Sequence, residues 1–501
     1  MPTQRDLSPG LAGVDLGSNS FHMVVARVVG GQLHVVDRMR ERVQLAAGLD
    51  ERKQLSPEAE QRALVCLERF GQRLRHLPST NVRAVGTNTL RQAKNSRAFL
   101  ERAEAALGHP IEIIAGREEA RLVYLGVAYD FAADKRRRRL VVDIGGGSTE
   151  CIIGEGLEPL ETDSLYMGCV TYSMRFFGDG RLRREDFRAA QIAAQAELQS
   201  IERRYRFAGW DQAVGASGTI VAVDQIIRAN GWDDGVTARG LKRLRKALVG
   251  FEHLSRVELP GLPADRVNVI AGGVAILEAV FEAFGLEAMA VANGALREGL
   301  LYDLLGRFQT DDVREQTIRR LVASHHVDVE QARRVETTAN TLLEQVAFSW
   351  ELDDETARQY LSWAARLHEI GLSVAHSGYH KHSAYLLEHG DLPGFSRDEQ
   401  LLLALVVLNH RRRFSRDGLR RLAVGRLRLG LRLSAILRLA VCLNRGRGRE
   451  AAPAVRIAAR GSSVLLSFPR GYLDEHPMTA TDLREETERF DGAGLTLEIE
   501  G

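Results

Sequence analysis

A chain of 501 residues is too long for one hydrophobic core and implies three or four domains. Its 45% hydrophobic content supports a large buried core without disulfides, and Cys66, Cys151, Cys169 and Cys442 have neither paired nor metal-type spacing, so they read as reduced thiols of a cytoplasmic protein. Met1–Gly10 lacks an apolar leader and the longest strongly apolar run, Leu401–Leu408, is too short to span a bilayer, which limits any membrane association to the surface.

In chain order, Ala12–Leu16 reads as a buried strand that carries Asp15 at its tip and opens into Gly17-Ser18-Asn19-Ser20. A second strand, Phe21–Val29, turns at Gly30-Gly31 into Gln32–Asp37, and Val43–Ala46 reads as its continuation. Pro57–Leu77 is amphipathic at helical spacing, with Ala63, Leu64, Leu67, Phe70 and Leu74 on its apolar side. A short strand, Val82–Val85, runs into the capping cluster Gly86-Thr87-Asn88-Thr89. Arg91 then falls in a first helical turn, where a cation opposes the helix dipole; that cost points to an anionic ligand, with an ion pair to a nearby acid as the alternative. After the strand Ile111–Ile114, the helix Ala120–Tyr129 is preceded by Glu118 and Glu119. Glu119 shares a stripe with Leu122, Val123, Gly126 and Val127, so it is half-desolvated and suits a general base, although acids also favour a first turn for dipole reasons alone.

The basic run Lys135–Arg139 reads as a loop. The strand Leu140–Ile144 then delivers Asp143 into Gly145-Gly146-Gly147-Ser148, followed by Cys151–Gly154, a turn at Gly156 and Leu157–Thr162. This repeats the earlier order of strand, Asp, glycine loop and hairpin. Glycine loops bring successive N–H groups onto an oxyanion, and a carboxylate at the strand tip can hold the divalent cation that accompanies phosphate. Two such hairpins predict two similar domains facing one cleft. Gly215-Ala216-Ser217-Gly218-Thr219 forms a third loop, after the helix Arg184–Tyr205 with Phe187, Ile192, Ala196, Leu198 and Ile201. Val267–Phe284 reads as strand, Gly272-Gly273 and helix; Ala288–Val291 and Asn293-Gly294-Ala295 lead into the helix Leu296–Leu305.

From Asp311 the periodicity is helical. Arg411 to Arg449 contains thirteen arginines against one acid, Asp417, an excess that should attract a polyanion, with Arg411, Arg412 and Arg413 at its head. No basic motif interleaved with aromatics and no recognition helix favours nucleic acid. Gly446–Pro453 reads as a linker to strands at Val455–Ala459, Ser463–Phe468 and Leu495–Ile499 and a helix at Thr481–Phe490.

The motifs DLGSNSFHM (15–23), TLRQA (89–93), REEAR (117–121), DIGGGSTE (143–150), MGCV (167–170), GASGT (215–219) and NGALREGLLY (293–302) together resemble the exopolyphosphatase and guanosine pentaphosphate phosphatase family of the actin-like superfamily. LHEIGL (367–372), HSGYHKHSAYLL (376–387) and DLPGF (391–395) extend the resemblance over almost the whole chain. It implies an α/β fold of two actin-like (ribonuclease H-like) domains, 1–124 and 125–306, then an all-helical domain, 307–446, like a degenerate His-Asp phosphohydrolase, and a small α+β domain, 447–501. The His-Asp doublet is His368-Glu369 here; with His376, His380 and His382 it gives no complete ligand set, so that domain is expected to be non-catalytic.

The resemblance implies hydrolysis of the terminal phosphate of inorganic polyphosphate, processively and with release of orthophosphate. Glu119 would be the base, and Asp143 and Glu150 with Asp15 would position Mg²⁺. Gly17, Ser18, Asn19, Arg91, Gly145, Gly146, Gly147 and Ser148 would hold phosphoryl oxygens. It also implies a cytoplasmic homodimer, with peripheral attachment at the inner face of the cell membrane and activation by a monovalent cation left open. The HSGYHKHS segment (376–383) and the arginine tract favour polyphosphate over guanosine pentaphosphate as substrate, and a small-molecule kinase or ATPase of the wider superfamily is the third reading.

Overall fold

The computed structural model describes residues 10–29, 32–131, 136–292, 294–308, 312–447 and 454–501. The Gly30-Gly31 turn, Lys135, Asn293, Asp311 and positions 448–453 of the linker, which include Arg449, lie outside the described residues. Contacts divide the chain into Met1–Asp312 and Val313–Gly501.

The first unit contains the predicted repeat. Strands β1 (Leu11–Leu16), β2 (Ser20–Val29) and β3 (Gln32–Arg42) form an antiparallel meander. Helix α1 (Pro57–Leu74) leads to β4 (Val82–Gly86), α2 (Asn88–Gln92), α3 (Ser96–Leu107), β5 (Ile111–Ile113) and α4 (Gly116–Asp130), with β4 and β5 parallel to β1. The sheet order is β3-β2-β1-β4-β5. The second half starts again with β6 (Arg138–Ile144), β7 (Thr149–Glu155) and β8 (Glu158–Leu165) as an antiparallel meander. Helices α5 (Cys169–Phe176) and α6 (Arg184–Ala208) precede β9 (Gln212–Gly215) and α7 (Gly218–Ala229); β10 (Val236–Thr237), α8 (Ala238–Gly250), α9 (Ile270–Phe284), β11 (Ala288–Val291) and α10 (Leu296–Phe308) complete it. Its sheet order is β10-β11-β9-β6-β7-β8. In both sheets the strand that ends in Asp-x-Gly sits between its own hairpin and a parallel neighbour, which sends its C-terminal end toward a shared cleft.

Two helices cross between the halves. Helix α4 packs on β7 and β8 of the second sheet, whereas α10 packs on β1 and β2 of the first. Leu301, Leu304 and Leu305 cover Leu11, Val24 and Ala26 there. The helices meet at Gly126 and Gly299, where a methyl group on either would collide with a backbone carbonyl of the other, Ala295 or Leu122.

A buried ionic cluster ties the same helices to β4. Arg121 chelates Glu118 at 2.8 and 2.9 Å, Arg83 lies 3.5 Å from Glu118, and both arginines pair with Asp303 of α10. Arg307 reaches Asp303 at 3.1 Å. Burial works against ionisation of Asp303, yet Arg83, Arg121 and Arg307 hold its carboxyl far below the usual carboxylate range.

Several sequence expectations change at this level. Val43–Ala46 is not strand: Gln44 takes a positive φ of 53° and Ala46–Gly48 is a 3₁₀ turn, because the Gln44 and Ala46 N–H groups donate to the Asn19 and Ser18 carbonyls of the first glycine loop. Arg138 and Arg139 belong to β6 and not to a loop; Arg139 is buried over the Phe131 ring. No strand forms at Val267, and α9 runs through Gly272-Gly273, whose missing side chains admit Cys169 and Thr219. On α6, Ile192 is exposed, as is Ala196, and the buried stripe is Phe187, Ala190, Ala194, Leu198, Ile201 and Tyr205. The four cysteines are buried and unpaired.

In Val313–Gly501, α11 (Val313–Ser324), α12 (Val329–Val346), α13 (Glu355–Leu367), α14 (Tyr379–His389), α15 (Arg397–Leu408), α16 (Arg416–Leu419) and α17 (Val424–Leu443) precede a small sheet. That sheet, β12 (Arg456–Arg460), β13 (Ser463–Ser467) and β14 (Thr496–Glu500), carries α18 (Tyr472–Glu475) and α19 (Pro477–Ala493). Trp350, Leu433, Leu466 and Phe490 belong to one core, so helices and sheet share their apolar interior. No helix among the described residues is long and apolar enough to cross a membrane.

Replacing Asp303 with Asn leaves two buried guanidinium groups beside a neutral amide and is expected to cost about 3–5 kcal/mol in urea unfolding. A depressed carboxyl contributes stability above its unfolded pKa of about 4 and loses it as pH falls through the folded value, so the gap to wild type persists at neutral pH and narrows in acid.

Candidate active site

The strand ends of the two sheets face a cavity of about 390 Å³. Asp15, Gly17, Ser18, Asn19, Glu119, Asp143, Gly145, Gly146, Gly147, Ser148 and Glu150 all line it, so the sequence-predicted cluster converges. The two glycine loops abut: a Cβ on Gly146 would stand 3.0 Å from the Ser18 Cβ, and one on Gly147 would stand 3.0 Å from the Asn88 side-chain oxygen. Thr89 braces Ser18 by donating to its hydroxyl at 2.8 Å. The Cys169 and Val170 N–H groups hold the Gly145 and Gly146 carbonyls, so the start of α5 fixes the second loop from behind. One expected phosphate donor is lost, because the Gly145 N–H closes the turn onto the Ser148 carbonyl at 2.9 Å.

Four carboxylates crowd this cavity. Asp143 and Glu150 are direct cross-strand partners on β6 and β7, a pairing that like charges disfavour. Burial, then Glu119 and Asp15, raise Asp143 well above the usual carboxylate range; burial, then Glu119 and Asp143, do the same to Glu150. Burial, then the Glu119 charge, push Asp15 up to about 8. An Oδ1 of Asp15, the Ser20 hydroxyl and both side-chain polar atoms of Asn19 are buried without a partner, which an isolated fold would not leave so. Their chemistry fits a hard cation and phosphate oxygens. Among the described residues no three acidic, histidine or cysteine groups converge as a cage, and Mg²⁺ commonly takes one or two carboxylates and fills its remaining positions with substrate oxygens and water.

Arg91 sits elsewhere than expected. Helix α2 has five residues and ends at Gln92, so Arg91 lies in its last turn, where the dipole favours it. Its guanidinium does not line the cavity; it donates to Glu119 at 2.7 Å and to the Ile114 carbonyl at 2.9 Å, holding Glu119 from behind. The cations that do line the cavity are Arg40, Arg266 and Arg297. Sequence reasoning missed all three. Arg297 lay within the quoted motif 293–302, one position into a helix, and alternation along the expected strand would have carried Arg38, Arg40 and Arg42 onto one face had that strand been extended past Asp37.

The arginine tract is a different object from the one its composition suggests. Asp417 of the tract pairs Arg420, and the other acids come from outside it: Glu388 pairs Arg421, Glu351 pairs Arg428 and Arg432, Asp482 pairs Arg445, and Asp328 and Glu369 pair Arg447. Arg438 is buried against Glu486. Arg411 stacks over Tyr379, Arg412 adopts a positive φ of 64°, and both Arg412 and Arg413 are exposed; all three belong to the second unit and none lines the cavity. In that unit His368 and His380 approach His410, with the His368 and His410 rings 5.3 Å apart, while His376 is exposed and Glu369 is taken by Arg447. Burial holds all three rings neutral, His380 at about 4.

Two abutting glycine loops, with ionisable groups at both strand tips and arginines in the lining, are the equipment of a phosphate-handling enzyme of the actin-like type. Family models for the Ppx/GppA phosphatase family and for Ppx/GppA phosphatase domain III match residues 24–308 and 313–487, and the chain belongs to that family. It is 42% identical over 482 residues to a guanosine-5'-triphosphate,3'-diphosphate pyrophosphatase of Aeromonas hydrophila, covering 96% of this chain and 97% of the relative. A Vibrio vulnificus protein of the same name is 42% identical over 501 residues, 99% of each chain. An exopolyphosphatase structure from Cytophaga hutchinsonii superposes with a TM-score of 0.55 at 25% identity, over 60% of this chain and 98% of that one.

The Asp15→Asn variant should be more stable than wild type at pH 8 in metal-free buffer. A carboxyl raised to about 8 in the fold is penalised when ionised, so its removal relieves the cost above that pH; the advantage should shrink as pH falls and disappear below about 4, where the unfolded carboxyl is also protonated. Thermal melts of both proteins across this range check the sign.

Proposed function

We propose that the protein removes the 5′-terminal phosphate of guanosine pentaphosphate, releasing orthophosphate and guanosine tetraphosphate. The observation that carries this reading is the end-to-end match to relatives named for that nucleotide, at 42% identity over 96% and 99% of the chain. It replaces polyphosphate as first choice: the arginine tract that favoured polyphosphate is largely ion-paired within its own unit. Polyphosphate remains the second reading, supported by the likeness to the Cytophaga hutchinsonii exopolyphosphatase.

In this mechanism the terminal phosphoryl group lies between the two glycine loops. Asn19 and Ser148 side chains and loop N–H groups contact its oxygens, in the space where Asn19 has no protein partner. Glu119, oriented by Arg91, takes the proton from the attacking water as the water oxygen bonds to phosphorus. The bond from phosphorus to the bridging oxygen breaks, and the nucleotide leaves with that oxygen. One or two of Asp143, Glu150 and Asp15 would hold Mg²⁺, which would offset charge on the transferring group when bound.

Glu119→Gln keeps the shape and the Arg91 contact but loses the proton acceptor, and should lower kcat by about 10²–10⁴-fold. Phosphate release from guanosine pentaphosphate, long polyphosphate and ATP, measured side by side, tests the substrate. A kcat/KM for polyphosphate above that for the nucleotide would reverse the two readings, and preference for ATP would remove both.

A further inference from the structure

An ion pair beside the cleft joins the two halves of the first unit. Arg40 on β3 donates to Asp265, 225 residues away in the segment before α9, at 2.6 Å. Their side chains remain 42% and 34% exposed. Around them the field is positive. Arg266 follows Asp265 and lies over Gly218 of the third loop, where any side chain would displace its guanidinium. Arg297 lies 3.0 Å from the His22 ring and reaches Glu298, which also pairs with Arg38. His22 is the cross-strand partner of Arg40, and burial followed by Arg297, Arg40 and Arg266 lowers its pKa to about 3, so the imidazole stays neutral.

Strand alternation places Arg38, Arg40 and Arg42 on one face of β3, with Arg42 opposite Ser20 beside the first glycine loop and Arg38 farther from it. Asp15, His22 and Arg40 stand in one row across β1, β2 and β3, so Arg40 lies two strands to the side of the strand-tip carboxylate, an arrangement that suits a substrate with anionic groups at both ends. A half-exposed pair such as Arg40–Asp265 holds weakly, whereas a guanidinium fork binds a phosphate group through two charge-assisted hydrogen bonds.

We propose that Arg40 selects substrates carrying a second phosphate group remote from the one under attack, and that the Asp265 carboxylate is its stand-in, displaced when that group arrives. The remote group is the 3′-diphosphate of guanosine pentaphosphate, or an inner phosphate if the substrate is a long polyphosphate; the inference rests on the phosphatase reading above.

The test uses the full chain and its Arg40→Met, Arg40→Lys and Asp265→Asn variants, with guanosine pentaphosphate and guanosine triphosphate as paired substrates. Arg40→Met should lower the ratio of their kcat/KM values about tenfold, as expected for loss of a charge-assisted pair, with Arg40→Lys in between. Asp265→Asn should raise the ratio, because the stand-in no longer competes. If Arg40 only braced the fold, both substrates would lose alike and the ratio would stay within about twofold, which overturns the proposal. If wild type releases no phosphate from the pentaphosphate, the substrate reading fails by itself. The same variants are then compared on long-chain polyphosphate and tripolyphosphate, where an unchanged ratio overturns the role of Arg40.

Discussion

Four carboxylates facing one cavity are the constraint on which the first unit depends. Asp15, Glu119, Asp143 and Glu150 arrive from four different elements, β1, α4, β6 and β7, and three of them are raised by burial and by mutual repulsion. A fold selected for stability alone would not bring them together. What keeps them in place is on the far side of each element: Arg91 behind Glu119, Ser164 donating to Glu150 at 2.8 Å, and the Arg83–Glu118–Arg121–Asp303 cluster under α4. The adjacent glutamates Glu118 and Glu119 thus divide the work, one buried in a satisfied ionic cluster and the other turned to the cavity.

Much of this was legible in the sequence because it depends on local pattern. An apolar strand, an Asp at its tip and a glycine loop need only neighbouring residues to be recognised, and finding the pattern twice was enough to predict two domains and one cleft. The helical stripe of Glu119 was readable for the same reason. The rest involved partners that are remote in sequence. Nothing near Arg91 indicates that Glu119 will receive it, and nothing near Arg40 announces Asp265. The end of β3 was misread because Gln44 leaves the ladder to bind the Asn19 carbonyl, a tertiary hydrogen bond that overrides the β-propensity of Val43.

The arginine tract shows the same limit from the opposite side. Counting charge within a window gave a strong excess, yet charge is balanced in space and not along the chain. Helix α17 buries Arg438 against Glu486 of α19, while its Arg428 and Arg432 meet Glu351 from another segment, so composition overstated the free positive surface.

The crossing of α4 and α10 at Gly126 and Gly299 bears on how the protein is made. The repeat suggests two units that could fold one after the other, but the face of the first sheet is covered by leucines of α10, the last helix of the unit. Until residue 301 has left the ribosome, Leu11, Val24 and Ala26 have no cover, and α4 waits on a second sheet that begins only at Arg138. The tandem halves are therefore one cooperative body whose N-terminal strands depend for some 290 residues of synthesis on protection from elsewhere.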